Sequence, residues 1–502
     1  MSLLEKSLSA LLWGTAGTFT KLFMQLGAQV VLARLLGPEQ YGIFAIGVIV
    51  VSFANFVGDF GISYGLIQKK TISDDDLRYV LGWQILLGSI VAVLLTIGAE
   101  PIAAFFNEPA SVWVIRALAI VCVANSLCSV SMNLLKRALD YKALQIAQVL
   151  GHFIGYIVVA IPLALLGFGV GSLVAAWIVQ ALVQLVLMYR VARHPLIPTL
   201  RHVGGSSMGI SMLIYGRNVL TANLTNWGLA NIDRIFIGKR FSVADIGLYS
   251  TAYNFLYNGT AALLGVIQSI SFSASSRIQE DIAAQRHVFL GVSGGSLLLT
   301  GPLFVGLAVV SDNFILVLYG DKWRSAADIF SPLALAMPLF VLWGLATPML
   351  WTAGKSKLEG LLNFPLLCLW SLAVYLASSF SPQVVAWTVL FLYILRAWLF
   401  IGVTARALQL ELLSYFRACL PGALLSLIVM APLVYVNLVL RDSGCSPLVS
   451  LSIEILVAML LWGLGFRFMN RLFDPSVKHA LSQFSSRLPL WLVFLLFGRS
   501  NS

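Results

Sequence analysis

The sequence predicts an all-α integral membrane protein of about fourteen transmembrane helices, and three observations lead there. Of its 502 residues, 59% are hydrophobic and only 11% are charged, against about 25% charged in an average soluble domain. Apolar runs of roughly 20 residues, the length that crosses a bilayer as a helix, recur along the whole chain. The segments between them are short and alternate in charge, with most Lys and Arg falling in every second connection. Lipid-facing surface must be apolar, and no long polar stretch is left over for a soluble domain.

The first span (9–34) carries Gly14, Thr15, Thr18, Lys21, Gln25 and Gln29 on about a third of its circumference at 100° per residue. No positive n-region with a small-residue cleavage site precedes it, so it is expected to remain in the mature chain. The second (42–67) lines up Ser52, Asn55, Asp59 and Ser63 in the same way. "SDDD" (73–76) reads as an N-cap with an acidic first turn ahead of the third span (79–99), not as a metal site. The fourth and fifth (112–135 and 143–166) flank a basic connection, and "GFGVGS" (167–172) is the tight turn to the sixth (170–189). The seventh and eighth (206–232 and 246–273) are the most polar, with Arg217, Asn218, Thr221 and Thr225 on one and Ser250, Asn254, Asn258 and Gln268 on the other. Six apolar runs follow, at 288–311, 328–353, 359–379, 384–405, 418–440 and 448–466. "LPLWLVFLLFG" (488–498) is too short to cross and reads as an interfacial tail. The charge alternation places both termini in the cytoplasm.

Several classes of function are disfavoured. The net charge of +11 comes from basic residues scattered singly, which fits membrane topology better than a nucleic-acid surface. The five cysteines have no metal-ligand spacing. "GKS" (354–356) lacks the upstream glycine of a phosphate-binding loop, Met349 standing there, so no ATPase is implied. No external connection leaves room for a soluble catalytic domain, and no cofactor or metal is expected.

The first two spans are echoed by the seventh and eighth. Gly14 to Gly37 is followed by "PEQYGIFAIG", and Gly216 to Gly238 by "KRFSVADIGLYSTAYN", as in parallel transporter repeats. The stretches "ARLLGPEQYGIFAIG" (33–47), "DFGISYGLIQKKTISDDDLRYVLGWQ" (59–84), "LLKRALDYKALQIAQ" (134–148) and "NIDRIFIGKRFSVADIGLYSTAYN" (231–254) resemble the polysaccharide-transporter branch of the multidrug/oligosaccharidyl-lipid/polysaccharide (MOP) flippase superfamily. Within it they are most similar to Wzx-type exporters of O-antigen and exopolysaccharide units, colanic acid exporters among them. The resemblance implies two six-helix lobes in pseudo-two-fold arrangement, over 1–203 and 204–415, with a central cavity between them. Two further spans follow over 416–473, then a cytoplasmic or interfacial tail over 474–502. It also implies alternating access that carries an undecaprenyl-pyrophosphate-linked oligosaccharide to the periplasmic leaflet of a bacterial inner membrane. Membrane lipids and the polysaccharide polymerase or export machinery are the partners so implied.

Lys21, Arg217 and Arg396 are the basic residues near the middle of spans. At mid-depth each costs about 3 kcal/mol on insertion scales. Such cations suit an anionic cargo, because Lys and Arg give charge-assisted hydrogen bonds to a pyrophosphate or acidic sugar. The competing reading pairs Lys21 with Asp59. Asp59, the one carboxylate within a polar stripe, is otherwise a candidate to carry a coupling proton or sodium ion. Thr18, Gln25, Asn55, Asn218, Thr221, Asn254 and Asn258 are expected to line the cavity, with helix–helix hydrogen bonding the alternative use of the amides. Asp233 and Arg234 stand at the outer end of the seventh span, as a gate pair or, the reading favoured by sequence, a solvated ion pair. His152 within the fifth span is expected to pack in polar surroundings. A MATE-like multidrug exporter, a membrane glycan polymerase or ligase, and a passive scramblase are the rival functions.

Overall fold

A computed structural model describes residues 3–59, 63, 66, 71–200, 206–276, 281–355 and 357–485. The side chains of Asp59 and of residues 206–222, and the tail expected over 488–498, lie outside the described residues. The chain is helical and divides into two compact units, Met1–Thr251 and Ala252–Ser502. Among the described residues, eleven helical stretches are long and apolar enough to cross a membrane. The first of them, Leu12–Val57, takes in most of the first expected span and the second as far as Val57. The seventh and eighth expected spans fall in two further long helices, Ser206–Arg240 and Val243–Ser276.

In the first unit, α1 (Leu3–Asp59) is interrupted at Gly37, where φ is 79° and ψ 174°. Only glycine takes up that backbone without strain. Pro38 follows as the first residue of the next helical stretch, where its missing N–H costs nothing. The break thus ends one span and starts another without a loop. Then come α2 (Asp74–Phe105), α3 (Ser111–Arg137) and α4 (Tyr141–His152). α2 begins as the sequence indicates: Ser73 and Asp76 form a reciprocal capping box. A π-helical turn, Phe153–Ala160, and the segment Ile161–Leu165 continue α4. Gly167 and Gly169, both at positive φ, turn the chain into α5 (Val170–Val191). α6 (Ser206–Arg240) and α7 (Val243–Ser276) follow.

The two repeat starts cross each other inside this unit. A Cβ on Gly42 would collide with the carbonyl oxygen of Val243, and one on Gly247 with that of Pro38. Gly42 and Gly247 are the matching glycines of "QYGIF" and "DIGLY", so the repeat read in the sequence is also a packing motif.

The second unit contains the rest of α7, then α8 (Ile282–Val309), the short α9 (Ser311–Tyr319), α10 (Ala327–Thr352), α11 (Lys357–Ala377) and α12 (Pro382–Ala407). α13 (Leu412–Asp442), α14 (Pro447–Met469) and α15 (Pro475–Ser485) complete it. Prolines within these helices cost them backbone bonds that lipid cannot replace, and at two of them a neighbouring helix supplies the missing donor. Pro302 has no N–H for the carbonyl of Leu298, which instead accepts from Trp462 Nε1 at 3.2 Å. Pro348 likewise frees the carbonyl of Gly344, which accepts from Gln268 Nε2 at 2.6 Å. Large side chains such as Ile97 and Leu94 in the first unit, or Leu456 and Phe468 in the second, stay exposed, as a lipid-facing surface requires.

Candidate functional site

In the first unit the polar stripe of α1 meets α4. Gly17 is buried, and a Cβ there would lie 2.6 Å from the Gln145 side chain, so its missing side chain is what lets the two helices approach. Lys21, one turn on, is half-buried. His152 is buried with Nδ1 3.2 Å from Gln180 Oε1 on α5, and its ring stacks on Tyr156 of the π-helical turn at 4.4 Å. The polar packing expected of His152 is what the structure has. Gln25 is half-buried, and Thr18 returns its hydroxyl to the carbonyl of Gly14 at 2.7 Å.

The other predicted residues of this unit split into helix–helix contacts and positions outside the described side chains. Asn55 accepts from Asn125 Nδ2 of α3 at 3.3 Å, which is the amide glue reading. One turn earlier on the same face, Ser52 accepts from Trp227 Nε1 at 2.9 Å. Arg217, Asn218 and Thr221 lie outside the described side chains, as does Asp59, and with it any pairing to Lys21.

The solvated ion pair expected of Asp233 and Arg234 is corrected by the structure. Both side chains are buried, at 2% and 7% exposure. The polar boundary read at 232 is not a helix end: α6 runs on to Arg240, with Ile237 fully buried beyond the pair. Asp233 Oδ2 accepts from the Tyr249 hydroxyl at 2.7 Å and Oδ1 from the backbone N–H of Arg234 at 2.8 Å. Arg234 Nη2 donates to the carbonyl of Ala230 at 3.1 Å.

In the second unit Arg396 on α12 is buried, at 4% exposure. Its Nη2 donates to Asn363 Oδ1 of α11 at 3.1 Å, and the guanidinium lies over the Trp343 ring of α10, 3.6 Å from the centroid. The Nε atom has no partner among the described residues. Phe340 packs against Trp343, Tyr393 and Tyr257, which extends this aromatic surround. The guanidinium therefore sits in a desolvated aromatic setting with part of its donor capacity unused. Asn254 and Asn258, one turn apart on α7, are half-buried. Sequence reasoning found Arg396 by depth alone and missed Asn363 and Trp343, since no periodicity joins residues on three helices.

It also passed over Glu454 on α14, the carboxylate buried at 0% exposure in an apolar run. Two asparagines donate to it, Asn313 of α9 at 2.9 Å and Asn437 of α13 at 2.7 Å. A lone acidic residue inside a span was the signal available.

A helical bundle with cations and carboxamides inside its spans defines a polytopic membrane protein of the transporter type, and solved structures share its fold. Lipid II flippase MurJ in an inward closed conformation superposes with a TM-score of 0.74 at 13% identity, over 92% of this chain and 99% of that one. An inward-facing multidrug resistance MATE family transporter of the MOP superfamily gives 0.63 at 15% identity, over 78% and 94%. The chain belongs to the polysaccharide biosynthesis protein family, which it matches over residues 31–328.

Curated relatives agree. The teichuronic acid biosynthesis protein TuaB of Bacillus subtilis (strain 168) is 24% identical over 85% of this chain and 88% of its own. The succinoglycan biosynthesis transport protein ExoT of Rhizobium meliloti (strain 1021) is 24% identical over 61% of each chain, less than two thirds of its length. The lipopolysaccharide biosynthesis protein WzxC of Escherichia coli (strain K12) is 24% identical over 66% of each.

Proposed function

We propose that this protein is a flippase for lipid-linked oligosaccharides. It moves undecaprenyl-pyrophosphate-linked repeat units of an O-antigen or exopolysaccharide from the cytoplasmic to the periplasmic leaflet of a bacterial inner membrane. The movement proceeds by alternating access, driven by a proton or sodium gradient, with both termini in the cytoplasm. The observation that carries this reading is Arg396: a guanidinium buried in a span, held by Asn363 and Trp343, with unused donor capacity. A desolvated arginine is matched to phosphate by charge and by its planar donor fork, and aromatic rings offer sugars flat apolar faces. Lys21 and Arg217 serve the same cargo from their own helices, Asp59 is the candidate to carry the coupling ion, and Asn254 and Asn258 offer amides to sugar hydroxyls. The fold likeness to a lipid II flippase over 92% of the chain supports the class of cargo.

The MATE-like fold keeps multidrug export as the second reading. Intramembrane cations would repel the cationic drugs of such an exporter. A polymerase or ligase is disfavoured by the short external connections, and by membership of a family whose relatives include a transport protein.

The test is leaflet-resolved transport of a fluorescent undecaprenyl-pyrophosphate oligosaccharide in liposomes holding the purified chain. Gradients of proton and sodium are imposed in turn, with a cationic dye as control substrate. Flipping of the glycan lipid under one gradient, without dye export, is the expected result. Dye export without glycan flipping overturns the reading in favour of drug export. Glycan flipping that ignores both gradients replaces it with a passive scramblase.

A further inference from the structure

Glu454 stands apart from every residue discussed as a cargo contact. Its side chain is completely buried, with Oε1 accepting from Asn313 Nδ2 and Asn437 Nδ2 and Oε2 without a partner among the described residues. Two different surroundings meet at this carboxyl. On one side it lines a cavity of 480 Å³ walled by apolar groups such as Leu299, Val429, Leu433 and Trp462. On the other, its two asparagine partners line a polar pocket of 270 Å³ that also takes in Arg324, Arg441 and Ser450.

The charges around it do not balance a carboxylate. Among the described residues no cation forms an ion pair with Glu454. From α9, Asp312 lines the polar pocket beside Asn313, and its charge has the same sign. α13 brings Arg441 and the turn before α10 brings Arg324, both to the polar pocket and not to the carboxyl; Cys445 also borders the pocket. α8 contributes Thr300 and apolar groups to the shared cavity. The two amides give hydrogen bonds but no charge. A carboxylate so placed is costly to keep ionised unless it is neutralised by a proton or met by a cation.

We propose that Glu454 is a reversible proton-binding site, entered from the polar pocket between α9, α13 and α14. The proton comes from water reaching that pocket, forms an O–H bond at Oε2, and returns to water when the site releases it. Oε2 is the atom free to take it, because Oε1 is occupied by both amides. A proton fits better than a sodium ion. Both asparagines turn N–H groups toward the carboxyl, whereas a hard metal cation needs oxygen ligands. On the flippase reading, on which this role rests, Glu454 is a second candidate, beside Asp59, for the carboxyl through which a proton gradient drives the cargo.

Proton binding can be measured without any cargo, so it stands or falls separately from the flippase reading. The full chain in lipid nanodiscs is stepped through pH while infrared difference spectra are recorded. A protonated-carboxyl C=O band that titrates in the wild type and is missing from Glu454→Gln is expected, with one fewer proton taken up per chain. Thermal unfolding establishes that the variant is folded. If it is not, Asn437→Leu removes one donor to the ionised form and should move the band's midpoint to higher pH. In liposomes, Glu454→Gln should lower flipping driven by a pH gradient at least tenfold while leaving gradient-free exchange intact. An unchanged infrared titration in Glu454→Gln, or an unmoved midpoint in Asn437→Leu, overturns the proposal. A band displaced by sodium at constant pH overturns it in favour of a sodium site.

Discussion

The guanidinium carbon of Arg396 lies over Trp343, 3.6 Å from the ring centroid, while its Nη2 donates to Asn363 Oδ1 at 3.1 Å. A lysine at this position keeps the charge and loses both the planar face and the forked donors. Desolvated cation–π contacts are worth about 2 kcal/mol, and about 1.4 kcal/mol is a tenfold change in rate. Arg396→Lys is therefore expected to lower the apparent melting temperature and cut glycan-lipid flipping roughly tenfold or more. Trp343→Leu should reproduce the stability loss. Wild-type transport by Arg396→Lys would show that charge alone suffices.

Tyr249 and Asp233 make a second buried relationship, a hydroxyl donating to a carboxylate at 2.7 Å. Tyr249→Phe leaves Oδ2 without that donor, at a cost of about 1–3 kcal/mol. Asp233→Asn removes the charge that makes the loss expensive. The double variant should lose less stability than the two single losses added together. Thermal or denaturant unfolding of all four proteins completes the cycle, and strict additivity would mean that the two groups do not interact.

These two pairs mark what the sequence made legible and what it did not. Hydropathy and charge alternation located the spans, because both follow from the bilayer and are local. The stripe of Gly14, Thr18 and Lys21 was legible for the same reason, since helical periodicity sets it. The partners were not. Arg396 meets Trp343 from another helix, and Glu454 meets Asn313 across 141 residues of chain, separations on which no periodicity reports. Asp233 and Arg234 mislead in sequence because polarity at 233 looks like a helix end, whereas the helix runs on to Arg240. In the structure a buried tyrosine hydroxyl takes up that polarity inside the helix pair.

Prolines inside the spans leave carbonyls open, and the donors that meet them come from other helices, which no local pattern shows. Gln268 Nε2 bonds the Gly344 carbonyl that Pro348 leaves open. Gln268→Leu should cost about 1–3 kcal/mol through that stranded acceptor. Pro348→Ala, by restoring a backbone N–H at the right place, should recover part of the loss in the double variant. Comparing apparent melting temperatures in detergent decides it. No rescue would mean that Gln268 stabilises by packing alone.

The crossing of the two repeats gives the sharpest test of the internal symmetry. Gly42 faces the Val243 carbonyl and Gly247 the Pro38 carbonyl, so each glycine accommodates the backbone of the other repeat. Backbone cannot rotate away as a side chain can, so a methyl at either position must push the segments apart. Overpacking costs about 1–3 kcal/mol even where side chains can adjust, and occasionally more. Gly42→Ala and Gly247→Ala are each expected at the upper end of that range, with faster amide exchange in 38–47 and 243–251. Both substitutions break the same crossing, so Gly42→Ala/Gly247→Ala should be little worse than either alone. Small, additive losses would mean that the crossing contributes little, and that the likeness between the repeats does not extend to packing.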